Sequence, residues 1–490
     1  MLASDTFSFL NETRSIRSVE AWDDVDAPKL WRYNLHYFDD LNAIGSPERT
    51  EWHEDLVGRW IRENPPGRGT GWEPYPTSLR IVNWIKWSLA GHSLPESARP
   101  SLAIQARWLR KRLEIHLLGN HLWSNAKALA FAGAYFSAGE AARWRSKGIA
   151  VLDAELEEQV LGDGGHFERS PMYHASFLED VLDLVNLARV YPECLPEDLV
   201  RKLKDRATSM LRWLEVMTHP DGRISFFNDA AFNVAPEHAA LAAYARRLGI
   251  RVDERPLGDI EALQDSGYVR LQTERAVAIC DVAAVGPDHL PAHAHADTLA
   301  FELSLDARRV LVNGGTSTYD RGPERRRQRS TAAHNTVQVD NEDSSEVWSS
   351  FRVARRATPF AIRSGRAHGE IWLEGAHDGY RRLPGRVIHR RRWTLQPNAL
   401  IVTDRLEGTF IDAVSRLRLH PALFVGMDEA PDACVRVQME GREALRVSVG
   451  PDVLLRSVPS VWHPEFGLSL DTIVLSSQFA GPTHETRVRW

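Results

Sequence analysis

The sequence predicts an α+β chain in two parts, helices first and antiparallel strands after about residue 257. Three observations carry this. Between residues ~28 and ~250, apolar residues recur at helical spacing in successive stretches, interrupted at PPGRGTG, SLPESARPS and PECLPED, where proline and glycine end helices. After ERPLGDIEALQDSG the period changes, and SGYVRLQ, AVAICDVAA, TLAFELSL and RVLVN take on the β-branched, alternating character of strands. Eleven of the sixteen tryptophans precede residue 214, so most of the bulky aromatic packing surface belongs to the helical part. With 490 residues the chain can build two substantial domains, placed at 1–257 and 258–490.

Two stretches of the helical part carry reactive side chains. In GNHLWSNAKALAFAGAYF, Leu122, Ala126, Leu129, Ala132 and Phe136 form a helical stripe with Asn120, His121 and Asn125 beside it; Asn120 also suits an N-cap after Gly119. In DGGHFERSPMYHASFLEDVLDLVNLARVY, Ser170 followed by Pro171 reads as N-cap and first residue of a long helix, which sets Tyr173 in the first turn. There the macrodipole favours a phenolate and is expected to draw the tyrosine towards acidity; a core-packing tyrosine is the other reading. Trp72 is open to ring stacking on a ligand or to core packing, and Arg80 to an anionic ligand or to a helix surface.

In the sheet part, HAHADTLAFEL reads as a strand with His293, His295, Asp297, Leu299, Phe301 and Leu303 on one face, polar at one end and apolar at the other. Two histidines at i and i+2 suit a metal ligand beside a proton-transfer group, or a hydrogen-bonded pair at a sheet end. Asn313 follows His295 by eighteen residues, where RVLVNGG enters a glycine turn, and His334 comes twenty-one residues later in HNTVQVD. His295, Asn313 and His334 are expected to converge from three strands. Two imidazoles and an amide oxygen suit one divalent ion, Zn2+ or Mn2+. Asn313 alone suits a turn equally well, and Tyr319 just beyond is a weaker acid/base candidate.

Composition is that of a globular chain, 43% apolar and 26% charged, with no run of ~18 apolar residues to suggest a membrane span. The net charge is −6, but residues 321–392 hold sixteen arginines, no lysine and eight acids, so the rest of the chain carries −14. The densest piece, RGPERRRQR, contains Arg327 and Arg329, whose forked guanidinium groups suit carboxylate or sulfate; a solvated loop is the alternative. No nucleic-acid-binding signature accompanies this run, so a nucleic-acid partner is not expected. Cys194, Cys280 and Cys434 are too few and too scattered for a disulfide framework, and buried thiols are expected. The N-terminal segment has no basic and apolar leader pattern, which points to a cytoplasmic or leaderless protein, with an exported form whose leader has been removed left open.

Taken with WRYNLHYFDDL at 31–41 and WEPYPTSLRIVNWIKW at 72–87, these strings resemble the heparinase II/III-like superfamily of polysaccharide lyases, which includes oligoalginate lyases. The resemblance covers nearly the whole chain and implies an N-terminal (α/α) toroid of helical hairpins followed by a C-terminal antiparallel β-sandwich. It implies that Asn120 and His121 neutralise a uronate carboxylate, that Tyr173 is the general acid or acid/base and His293 its partner base, and that His295, Asn313 and His334 hold the metal. Many relatives have aspartate where this chain has Asn313, which lowers the negative charge of the expected site.

The implied function is β-elimination on a uronate-bearing polysaccharide such as hyaluronan, chondroitin, heparan or alginate. The carboxylate gathers charge as the C5 proton leaves, so hydrogen-bond donors are needed there, with a base at C5 and an acid at the leaving oxygen. Two other classes stay open. One is a glycoside hydrolase on a similar helical toroid, which would need two carboxylates from Glu73, Asp163 and Glu168. The other is a non-catalytic or biosynthesis-associated sugar-binding protein with the lyase fold.

Overall fold

A computed structural model describes residues 1–137, 139–425, 434–450 and 453–490. The chain forms two compact units, Met1–Gln159 with Glu179–Ala207, and Val160–Leu178 with Thr208–Trp490. The change from helix to strand falls between the helix His238–Arg247 and the strand Ile260–Leu263, around the expected residue 257, but the compact units part at other points of the chain.

The first unit is helical, with Lys29–Tyr37, Thr50–Glu63, Pro74–Leu89, Ala98–Arg110, Gly119–Tyr135 and Gly139–Gln159 as its main helices. Pro74 opens its helix where a missing N–H costs nothing. Gly119–Tyr135 is buried almost all round, as its alanine-rich sequence allows, and packs closely on the next helix: a Cβ on Gly133 would lie 2.6 Å from the Arg145 backbone nitrogen. The aromatic expectation for this part holds, since Trp60 meets Trp72 and Trp84 at 5.7 and 5.6 Å between ring centres. The buried Lys127 is matched by Asp180 and Asp183 at 2.5 and 2.7 Å, as a desolvated ammonium requires.

The second unit is mostly antiparallel sheet. A five-stranded sheet runs in chain order from Ile260–Leu263 to Arg308–Leu311. An eight-stranded sheet begins at the edge strand Pro359–Ala367 and takes in the chain's last strand, Thr483–Arg489, and a four-stranded sheet ends at the short strand Val337–Val339. Their inner faces share one core, with Phe301 and Leu303 from the first sheet, Trp393 and Leu400 from the second, and Leu417 and Leu475 from the third. The strand Ile388–Gln396 shows why: every second residue is buried, from His389 to Leu395, as one covered face demands. Helices followed by an antiparallel sheet region are thus the fold class that the sequence predicts.

The loops that carry the candidate residues differ from expectation. The strand expected over HAHADTLAFEL begins only at Phe301, and His293, His295 and Asp297 lie in the irregular segment before it, with Leu299 at φ 66°. His334 follows a short 3-10 turn, Thr331–Ala333, and precedes the strand Val337–Val339 instead of lying within it. RGPERRRQR is a short helix, Pro323–Arg329, and two of its arginines are fully buried. Cys194 and Cys280 are buried free thiols, while Cys434 is only partly covered, and no helix among the described residues is long and apolar enough to cross a membrane.

Candidate functional site

In the first unit, Asn120 and His121 stand in the first turn of Gly119–Tyr135, where free backbone N–H groups and the helix dipole favour an anion. Leu118 occupies the cap position at φ 58°, ψ −157°, a conformation costing a non-glycine residue about 1–3 kcal/mol, so the surrounding structure holds this turn against strain. His121 is partly exposed, stacks on Tyr75 at 4.4 Å, and turns Nδ1 to the buried Glu114 at 3.0 Å. With Nδ1 engaged as a donor, a second donor at Nε2 requires the imidazolium form, and Glu114 is the counter-ion beside it. Asn125 is buried and its amide is spent: Oδ1 accepts from the Glu114 N–H, and Nδ2 donates to Glu114 and Ser78.

Trp72 and Arg80 do not form a sugar surface. Trp72 is core, donating Nε1 to the Asn64 carbonyl. Arg80 is fully buried, donates to Gln105, the His36 carbonyl and Thr77, and lies 3.8 Å over the Trp60 ring. A guanidinium with three internal partners and an aromatic face packs the helices instead of meeting ligand.

In the second unit, Ser170 accepts the Tyr173 N–H at 3.2 Å, the side-chain bond of an N-cap, and Pro171 is the first residue of the helix Pro171–Val190. The Tyr173 hydroxyl meets the Tyr319 hydroxyl at 2.9 Å, and its ring lies 4.1 Å from that of His293. Tyr319 and Phe351 enclose His293 at 5.7 and 5.9 Å. The expected acidity is reversed: burial, then the neighbouring Tyr319 and Asp229, push the Tyr173 phenol well above its ordinary value, and burial with Asp229 does the same to Tyr319. Both phenols are therefore neutral donors. His293 engages Asp229 through Nδ1 at 2.8 Å, while Glu168 lies 3.6 Å from Nε2.

His295 and His334 approach edge to edge, Nδ1 to Nε2, at 3.1 Å. The far nitrogens decide the protonation: His295 Nε2 points at the Asp229 carboxylate at 2.8 Å, and His334 Nδ1 at the Ser330 carbonyl at 2.8 Å. Both of those oxygens only accept, so each ring carries its hydrogen away from the other. Burial keeps both imidazoles from charging, pushing His334 down to about 4. Two lone pairs therefore face each other in a dry site, with the Asp297 carboxylate in the same cluster. That donor set fits a divalent ion.

A second buried group of the same composition behaves differently. His377 accepts the Gly379 N–H on Nδ1, so its Nε2–H donates to His389 Nδ1 at 3.2 Å, and His389 Nε2–H donates to Asp404 at 2.6 Å. Every position there is matched without a cation.

Asn313 is not part of the facing pair. Its Nδ2 donates to the Phe226 carbonyl at 2.9 Å and its Oδ1 accepts the Asn335 N–H at 3.2 Å, so the amide braces the backbone, and Asp297 takes the place expected of it. Arg329 is also spent, on the carbonyls of Ala294, Ser349 and Arg352, and so holds the loop between His293 and His295. Arg327 is partly exposed but bidentate to Glu324, and it donates to His463. Sequence reasoning missed Asp229 and singled out Arg325 only as one of the arginines of RGPERRRQR; the two are fully buried and joined as a bidentate pair.

Comparison with known proteins agrees with this arrangement of elements. The family models described as Heparinase II/III N-terminus and Heparinase II/III-like, C-terminal match residues 99–246 and 255–490. The chain is 26% identical to FtsZ-localized protein C of Caulobacter vibrioides, over 96% of this chain and 83% of that protein. It is also 26% identical to a heparin-sulfate lyase of Bacteroides stercoris, over 47% of this chain and 38% of the lyase. The crystal structure of Heparinase III superposes with a TM-score of 0.77 at 19% identity, covering 95% of this chain and 78% of that one, a likeness of fold. The chain belongs to the heparinase II/III-like superfamily.

Proposed function

We propose that this protein is a lyase that cleaves uronate-containing polysaccharide, of the glycosaminoglycan kind, by β-elimination. The observation that carries the reading is the Tyr173–His293–Tyr319 cluster, in which a carboxylate occupies His293 Nδ1, so that the neutral ring has its lone pair on Nε2, beside two neutral phenols. That is a base and an acid in one partly buried place. His293 Nε2 takes the C5 proton, the C5 electron pair forms the C4–C5 double bond, the C4–O4 bond breaks, and the Tyr173 hydroxyl supplies the proton that the departing sugar oxygen needs. Tyr319, hydrogen-bonded to Tyr173, is the next donor in line. Asn120 and His121, in the first unit, are donors at a helix N-terminus, a place that suits an anionic group such as a carboxylate.

A zinc- or manganese-type ion held by His295, His334 and Asp297 would supply local positive charge and a tie between the segment before Phe301 and the turn before Val337–Val339. Support for hydrolysis is weaker. Asp163 is committed to the backbone N–H groups of Gly165, Asp265 and Ser266, and Glu73 to Tyr33 and Lys29.

One observation favours a second reading, a binding protein on the lyase fold. The relative matched over nearly the whole chain is named for its localisation, while the heparin-sulfate lyase matches about half. Appearance of the ultraviolet band of an unsaturated uronate, in a panel of hyaluronan, chondroitin, heparan and alginate, separates the two. Absorbance growth on any of them supports the lyase; binding of a uronate polymer without it supports the second reading.

A further inference from the structure

The lyase reading gives His293 a proton to move and expects a cation at His295, and one carboxylate touches both rings. Asp229 is fully buried in the segment FFNDAAF. Its Oδ2 accepts from His293 Nδ1 and its Oδ1 from His295 Nε2, each at 2.8 Å. Arg325 binds both oxygens, with Nη2 at 2.7 Å from Oδ2, and the Thr316 hydroxyl lies 3.3 Å from Oδ1. The backbone of the same residue is engaged too: its N–H donates to the His293 carbonyl at 3.0 Å, and its carbonyl accepts the hydroxyl of Ser170, the cap of the Tyr173 helix. The Arg325 guanidinium meets both oxygens fork to fork, the opposite charge that a fully buried carboxylate requires.

An ionised carboxylate only accepts, so each histidine must turn an N–H towards it. We propose that Asp229 is a positioning residue that selects both tautomers at once, leaving the lone pair of His293 on Nε2 for the C5 proton and that of His295 on Nδ1 for the cation. Arg325 is the counter-charge of that carboxylate. The part concerning His293 rests on the lyase reading; the part concerning His295 does not. A single residue thereby couples proton abstraction to cation binding.

The test uses the full-length protein. Selective nitrogen-15 labelling of histidine, with NMR of the imidazole nitrogens, is expected to show hydrogen on Nδ1 of His293 and on Nε2 of His295; the opposite tautomer in either ring overturns the proposal, whatever the variants do. Asp229→Asn replaces one acceptor oxygen by a donor, so both histidines cannot stay satisfied. It is expected to lower kcat by about 100-fold with KM within about threefold, and to weaken zinc retention, measured by elemental analysis after dialysis against zinc buffers, by about tenfold or more. Asp404→Asn is the control, since Asp404 sits in the similar His377–His389–Arg391 group: it should lower the melting temperature and leave kcat and zinc retention unchanged. An active wild type whose Asp229→Asn form keeps kcat and zinc within threefold overturns the proposal and spares the lyase reading. A wild type that cleaves nothing but shows both tautomers, and loses zinc on Asp229→Asn, overturns the lyase reading and with it the His293 role alone.

Discussion

Replacing Tyr173 by phenylalanine removes one oxygen atom and little else. The ring keeps its place 4.1 Å from His293, and the helix start is untouched because the cap uses the Tyr173 backbone N–H. The structural loss is one hydroxyl–hydroxyl contact of 2.9 Å with Tyr319, worth about 0.5–1.5 kcal/mol net. Loss of a positioned proton donor costs roughly 10²- to 10⁴-fold in rate, or about 3–5 kcal/mol at the transition state. The two effects differ enough to be told apart. Initial rates from the unsaturated-uronate absorbance should fall at least 100-fold, while the melting temperature moves by only a few degrees and KM stays near its original value. A variant that keeps more than about a tenth of the rate refutes the assignment of Tyr173. If Tyr319→Phe proves the more damaging of the two, the proton passes to the leaving group from Tyr319 instead.

Other outcomes follow from the same geometry. His219 is held neutral by burial and by Arg309, which push it down to about 4, below its unfolded value near 6.5; the unfolded chain therefore binds the extra proton, and about 3 kcal/mol of stability should be lost as pH falls from 6.5 to 4, seen as a shallower pH dependence of urea unfolding in His219→Gln. Chelation should lower the melting temperature, with zinc restoring it, and His334→Ala should abolish that response; identical melting of chelated and zinc-treated protein would count against the cation. Asn313→Asp should destabilise by about 1–3 kcal/mol without tightening zinc binding, because it sets a carboxylate against the Phe226 carbonyl; a raised zinc affinity would return Asn313 to the ligand set.

What could be read in the sequence was local. Ser170, Pro171 and Tyr173 are three positions in one turn, and cap, proline and tyrosine fall where that spacing puts them. The grouping of His295 with His334 was also legible, although the strands invoked for it were not: Val337–Val339 is three residues long, and His293 to Ala300 is irregular backbone held by bonds such as Ala296 N–H to the Arg329 carbonyl. Asp229 was beyond reach because its partners stand 64, 66 and 96 residues away, and nothing local distinguishes it from a turn aspartate. The one available signal was a polar Asn–Asp pair inside the apolar run from Phe226 to Phe232. Arg80 and Arg329 were misjudged for a related reason: guanidinium groups read as open to a ligand turn out to be spent on acceptors inside the protein, which only the fold reveals.

The two histidine pairs of the sheet unit carry a consequence for how this protein meets trace metals. Each pair is buried beside an aspartate and an arginine, and a search by residue type would rank them together. A single backbone amide, that of Gly379, separates them by claiming His377 Nδ1 and so obliging the pair to share a hydrogen. The turn that presents this amide needs glycine, because a Cβ on residue 379 would stand 2.2 Å from the Ser344 carbonyl oxygen. The His377–His389 pair should therefore take up no ion even in excess zinc, and a substitution at Gly379 that shifted the turn would open a place for one there.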